Sequence, residues 1–84
     1  MHLKDIDLAV RAEGHSAGWD YKTFEEHAIW TEIGDGGVDF PALFGILDGA
    51  GFDGWLIVET DVTQQPTPRD SAVLSREALR KMGI

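Results

Sequence analysis

The sequence predicts an α/β fold built from two βα units that form part of a larger parallel barrel or doubly wound sheet. Three observations predict it. Gly54-Trp55-Leu56-Ile57-Val58-Glu59 is a nearly continuous apolar run bounded by a turn and a polar end, the pattern of a parallel strand covered on both faces. A segment with helical periodicity precedes this run and another follows it. A short polar/apolar alternation, His2-Leu3-Lys4-Asp5-Ile6, supplies an earlier strand. Strand, long loop, helix, strand, helix is the order of a parallel α/β sheet. Two such strands leave two open edges, so the pattern asks for more strands than these residues supply.

Taken in order, His2 to Ile6 reads as the first strand. Residues 7–20 hold Gly14, Ser16 and Gly18 without sustained periodicity and read as loop. A short helix is expected between Tyr21 and Ala28, with Phe24 and Ala28 on one side, and Gly34-Asp35-Gly36-Gly37 reads as a turn. Asp39 is placed to cap the next helix, whose apolar stripe is Phe40, Leu43, Phe44 and Leu47. Pro41 is tolerated because first-turn amides have no helical partner, and Gly49 or Gly51 ends the helix in a left-handed conformation. After the apolar strand, Thr67-Pro68-Arg69-Asp70 offers an N-cap hydroxyl, a proline at the first helical position and an acid at N3. The last helix is expected to bury Leu74, Ala78, Leu79 and Met82, with Arg80 and Lys81 complementing its negative end before Gly83.

Composition narrows the function classes. The 84 residues carry 7 basic and 15 acidic side chains, a formal net charge of −8. An acidic chain with no basic cluster lacks the footprint of a nucleic-acid binder. No apolar run approaches a membrane span, and no charged-then-apolar leader opens the chain, so a cytoplasmic protein without membrane contact is expected. The absence of cysteine removes disulfides, thiolate metal sites and cysteine nucleophiles together. A chain this short buries little more than ~60% of its unfolded surface, so either it packs economically or it buries a face against something else.

In parallel α/β folds chemistry gathers at the carboxyl ends of the strands. His2, Lys4 and Asp5 lie on the first strand, and Glu59 and Asp61 end the second. Histidine and carboxylate on neighbouring strand ends can share a divalent cation, and a nearby lysine can stabilise a developing oxyanion. The plainer alternative is that these are ordinary solvated residues at strand ends.

Three stretches, His2-Leu3-Lys4-Asp5, Glu32 to Phe40 and Gly51 to Asp61, are similar, in order, to the C-terminal part of the sugar phosphate isomerase/epimerase family with a xylose-isomerase-like TIM barrel. Within that family the inosose dehydratases look most similar, and Ser75 to Gly83 resembles the family's last helix. The resemblance implies that residues 1–84 are a single partial domain, the last two βα units of a (β/α)8 barrel. It implies a divalent metal (manganese, magnesium or cobalt) with His2 and Glu59 as two of its four protein ligands. Glu59 would also be the acid/base, Lys4 a catalytic partner, and Asp5 and Asp61 contacts to the oxygens of a sugar or cyclitol substrate. The reaction implied is proton abstraction beside a metal-polarised carbonyl, leading to isomerisation, epimerisation or dehydration. The other two ligands of that family have no counterpart in these residues, and a whole barrel needs ~250 residues. Catalysis by the 84 residues alone is therefore not expected, whereas a homo-oligomer or a complementing barrel fragment could complete the site. The competing expectation is a non-catalytic α/β fragment that self-associates or docks to a partner through its sheet edges.

Other signals carry less. Gly14-His15-Ser16-Ala17-Gly18 has the spacing of a hydrolase nucleophile elbow but no strand before it, and reads as loop. Gly34-Asp35-Gly36-Gly37 lacks the lysine of a phosphate loop. His15 and His27 read as surface residues, and Trp19, Trp30 and Trp55 as packing residues before sugar contacts.

Overall fold

The computed structural model describes all 84 residues, Met1–Ile84. Its elements run β1 (His2–Leu3), β2 (Asp5–Ile6), α1 (Leu8–Ala17), α2 (Tyr21–Glu26), β3 (Trp30–Thr31), α3 (Phe40–Gly49), β4 (Ile57–Val58) and α4 (Pro68–Lys81). Two small sheets result: β1 pairs with β4 in parallel, and β2 pairs with β3 antiparallel.

The expected first strand is thus two strands that change partner at Lys4. Leu3 O accepts from Glu59 N at 2.9 Å, whereas Ile6 O accepts from Gly37 N at 3.0 Å and Asp7 N donates to Ile29 O at 2.9 Å. The expected loop over residues 7–20 is largely α1. Asp7 caps it by accepting from Ala9 N (2.9 Å) and Val10 N (3.1 Å), and Gly18 ends it at φ 71°, a conformation glycine adopts without a Cβ clash. Gly14 sits inside the helix because the rings of Phe24 and Trp19 occupy the space a Cβ would fill. The elbow-like pentapeptide is therefore the last turn of a helix, not a strand–helix corner.

The second half follows its sequence signals more closely. Asp39 caps α3 through Ala42 N (3.1 Å). Gly51, at φ 72°, closes it: its N–H reaches Asp48 O (3.0 Å), and the next N–H, of Phe52, reaches Leu47 O (2.9 Å). Thr67 caps α4 through Asp70 N (3.1 Å), and Gly83 repeats the same closing motif, with Ile84 N on Leu79 O at 3.0 Å. The buried side of α4 differs from expectation. Ser71, Ser75 and Leu79 are buried, Ala78 and Met82 are partly buried against the core, and Leu74 is exposed.

The core is Leu3, Ile33, Phe40 and Leu79, with Leu43, Phe44, Leu56 and Val58 packed around it. Alternation along β1 and β4 sends Leu3, Leu56 and Val58 to this helix-covered side and His2, Lys4, Ile57 and Glu59 to the other. The expectation of a strand covered on both faces is overturned: Ile57 is 47% exposed and Trp55 84%, because nothing packs on the second face. Buried polar groups stitch the irregular half to this core. Ser75 Oγ accepts from Ile33 N (3.1 Å), and Glu32 Oε1 accepts from the Thr63 hydroxyl (2.5 Å). No helix is long and apolar enough to cross a membrane.

Candidate functional site

Parallel pairing decides which side chains meet. With His2 opposite Ile57 and Leu3 opposite Val58, both strands end on the same side of the sheet. Lys4 and Glu59, one position beyond the register, and Asp61, three beyond it, therefore converge there, and His2, of like parity, shares the uncovered face. His2 Nδ1 lies 3.1 Å from Glu59 Oε2, Lys4 Nζ lies 2.9 Å from Asp61 Oδ2, and the same Nζ lies 3.5 Å from Glu59 Oε2. All four side chains remain in part open to solvent. Glu59 Oε1 has no hydrogen-bond partner, so one oxygen of that carboxylate is engaged and the other is free.

The electrostatics follow from these contacts. The hydrogen bond from Lys4 to Asp61, helped by the charges of Asp61 and Glu59, raises the ammonium's pKa above its usual value despite partial desolvation. Lys4 is therefore a fixed positive charge throughout the physiological range. Its Nζ also lies 4.8 Å from the centroid of the Trp30 ring, a cation–π distance. Tyr21 flanks Trp30, with ring centroids 6.4 Å apart, and burial and the neighbouring Glu25 push its phenol pKa up.

Four of the five residues singled out in the sequence, His2, Lys4, Glu59 and Asp61, are thus brought together. Asp5 is not. It is 1% exposed, on the opposite side of the chain from Lys4, and its carboxylate accepts from the backbone N–H groups of Ile6, Gly34, Gly36 and Val38 at 2.9–3.1 Å. In place of a substrate contact it is the anchor of the 34–38 turn. At Gly36 a Cβ would strike Asp5 Oδ1 and Ile6 O, so the turn closes on this carboxylate only with glycine there. Trp30, read in the sequence as a packing residue before a sugar contact, is the neighbour that joins the cluster without having been placed at a strand end.

The donor set fits part of a divalent-metal shell. His2 Nδ1 and Glu59 Oε2 are 3.1 Å apart, close to the spacing of two neighbouring ligands each about 2.1 Å from one ion. They are the right donor types, imidazole nitrogen and carboxylate oxygen. No group of three or more His, Asp or Glu side chains converges anywhere in the chain, so further ligands are not supplied from within it.

Comparison with known proteins gives a consistent likeness. Over nearly its whole length the chain is similar to bacterial proteins named inosose dehydratase and to a rhizopine catabolism protein. It is 31% identical to an inosose dehydratase of Geobacillus thermodenitrificans and 33% identical to one of Erwinia tasmaniensis, each over 84 aligned positions and 96% of this chain. It is also 32% identical to the rhizopine catabolism protein MocC of Rhizobium meliloti, over 98% of this chain. The chain spans only 28% of the length of the two dehydratases and 26% of MocC. No family model matches it. No solved structure matches it either.

Proposed function

We propose that these 84 residues are the last two βα units of a xylose-isomerase-like barrel and carry half of a divalent-metal site acting on a sugar or cyclitol. The reaction class is isomerisation, epimerisation or, as the name of the dehydratase relatives suggests, dehydration of a cyclic polyhydroxy ketone. The observation that carries this reading is the pairing of His2 with Glu59 at 3.1 Å on adjoining strand ends, beside a lysine bound to two carboxylates. Its support from relatives is their name and the near-complete coverage of this chain.

His2 and Glu59 would hold the ion, which the family resemblance implies to be manganese, magnesium or cobalt. Such an ion, when bound, polarises a substrate carbonyl and acidifies the adjacent C–H. The chain's own groups supply the remaining steps. Glu59 Oε1, the free oxygen, accepts the proton from the α-carbon, and the C–H electron pair becomes the C=C of an enolate. The Lys4 ammonium faces the developing oxyanion and stabilises it by charge and hydrogen bonding. Asp61 holds Lys4 in place and offers Oδ1 to a substrate hydroxyl. Returning the proton to carbon completes an isomerisation or epimerisation. Delivering it to a departing β-hydroxyl, with cleavage of that C–O bond, completes loss of water. The remaining ligands come from outside these 84 residues, so the isolated chain is expected to bind metal weakly and to turn over no substrate.

A second reading rests on a different observation. Trp55 and Ile57 stand exposed on the uncovered face of the β1–β4 pair, and such a face suits self-association or docking without catalysis. Native mass spectrometry with and without manganese separates the two. The enzyme-fragment reading expects a metal-bound species that disappears in His2→Ala and Glu59→Ala. An assembly that forms without metal and tolerates both substitutions supports the non-catalytic reading instead.

A further inference from the structure

We propose that the Lys4 ammonium is a resident cation that competes with a divalent ion for Glu59 Oε2, and that Asp61 and Trp30 give it a place to withdraw to. This rests on the metal-site reading above and assigns to Lys4 a role separate from oxyanion stabilisation. Glu59 Oε2 is the one oxygen in the cluster approached by two groups, His2 Nδ1 at 3.1 Å and Lys4 Nζ at 3.5 Å. A divalent ion held by His2 and this oxygen would meet a fixed positive charge a few ångströms away. Repulsion at that range is strong unless the charge moves or is screened.

Lys4 is built to move rather than to be lost. Its shorter contact is to Asp61 Oδ2, at 2.9 Å, and the face of the Trp30 ring lies 4.8 Å from Nζ. Both anchors are independent of Glu59. Releasing Glu59 therefore costs Lys4 the longer of its two ion pairs and leaves its hydrogen bond and its aromatic contact in place. Without the ion, the same ammonium neutralises two carboxylates, Glu59 and Asp61, that would otherwise repel each other beyond the end of β4. One lysine thus serves as placeholder for the cation and, once displaced toward Asp61, stands ready beside the substrate.

The competition gives two substitutions opposite signs. Lys4→Met removes the rival charge and is expected to tighten Mn2+ binding about tenfold. Asp61→Asn removes the withdrawal site, leaves Lys4 on Glu59 and is expected to weaken Mn2+ binding several-fold, even though it removes no metal ligand. Lys4→Arg keeps the charge and is expected to bind as the wild type does. The measurement is Mn2+ titration of the 84-residue chain, read by electron paramagnetic resonance of free ion and by broadening of the His2 imidazole resonances. Far-UV circular dichroism verifies that each variant folds. Equal or weaker binding in Lys4→Met, with binding still abolished by Glu59→Ala, overturns the competition and leaves the metal site standing. With Mn2+ carried into the millimolar range that weak binding by two ligands requires, no saturable binding in either the wild type or Lys4→Met overturns the metal site itself and the competition with it.

Discussion

The two faces of the β1–β4 pair divide the work of the molecule. On one face Leu3, Leu56 and Val58 lie under α3 and α4 and join the core of Ile33, Phe40 and Leu79. On the other, His2, Lys4, Ile57 and Glu59 face away from the helices, with Trp55 at one end and the charged cluster at the other. Both faces come from the same few residues by strict alternation, and they differ in composition as well as coverage: apolar side chains under the helices, mostly polar and charged ones opposite. The covered face holds the fold. The uncovered face holds apolar area with nothing on it and the cluster of His2, Lys4, Glu59 and Asp61.

The largest break in this comparison should come from the covered face. Phe40→Ala, at 1% exposure, is expected to cost about 3–5 kcal/mol, enough to unfold a chain with so small a core. Trp55→Ala, on the open face, is expected to change stability by well under about 1 kcal/mol. Urea denaturation of the two variants side by side checks the contrast. Equal losses would mean that the open face is packed in solution, by a second copy or by a rearranged chain.

Next in size is Asp5, which shares the parity of Leu3 on the inner side. Asp5→Ala strands the buried N–H groups of the 34–38 turn and is expected to cost about 3 kcal/mol. Asp61→Ala, exposed and paired only with Lys4, is expected to cost little. Thermal unfolding of the pair distinguishes a carboxylate that holds the fold from one that is free to serve a ligand.

A smaller effect sharpens the same contrast through pH. Burial works against the charge of Glu32, but hydrogen bonds from Thr63 and Ser71 outweigh it and hold its pKa below the usual carboxylate range. A carboxyl depressed in the folded state stabilises the protein fully above its ordinary pKa, and that contribution fades as pH falls through the folded value. Glu32→Gln is therefore expected to lower stability by about 1 kcal/mol at pH 7 and to flatten the acid side of the stability profile. Urea midpoints across pH 3 to 7 would show it; parallel profiles for the two proteins would contradict it.

How much of this was legible depended on the range of the contacts. The caps of α3 and α4 are local: Asp39 meets Ala42, Thr67 meets Asp70, and both helices were readable with their boundaries. The cap of α1 is equally local, yet Gly14 and Ser16 masked the helix. The reason Gly14 belongs there is the pair of rings, Phe24 and Trp19, that pack where its side chain would be. The partner switch at Lys4 was not legible, since it depends on Ile29 and Glu59, far along the chain in sequence. At the site, residue types and strand ends pointed to His2, Lys4, Glu59 and Asp61, and their contacts span 57 residues. Asp5 carried the same signal as Lys4. Only the turn 29–33 residues away, which its carboxylate anchors, distinguishes it.

The central claim is that the open face is half of a metal-dependent polyol site completed by structure outside these residues. The most direct test grafts the chain onto the complementary part of a longer relative. A chimera of the Geobacillus thermodenitrificans inosose dehydratase, with its matching 28% replaced by these 84 residues, would be assayed for loss of water from inosose with Mn2+ present. The account predicts measurable turnover that Glu59→Ala abolishes while the fold is kept. A folded chimera that binds Mn2+ and is equally active, or equally inactive, with and without Glu59 would contradict it.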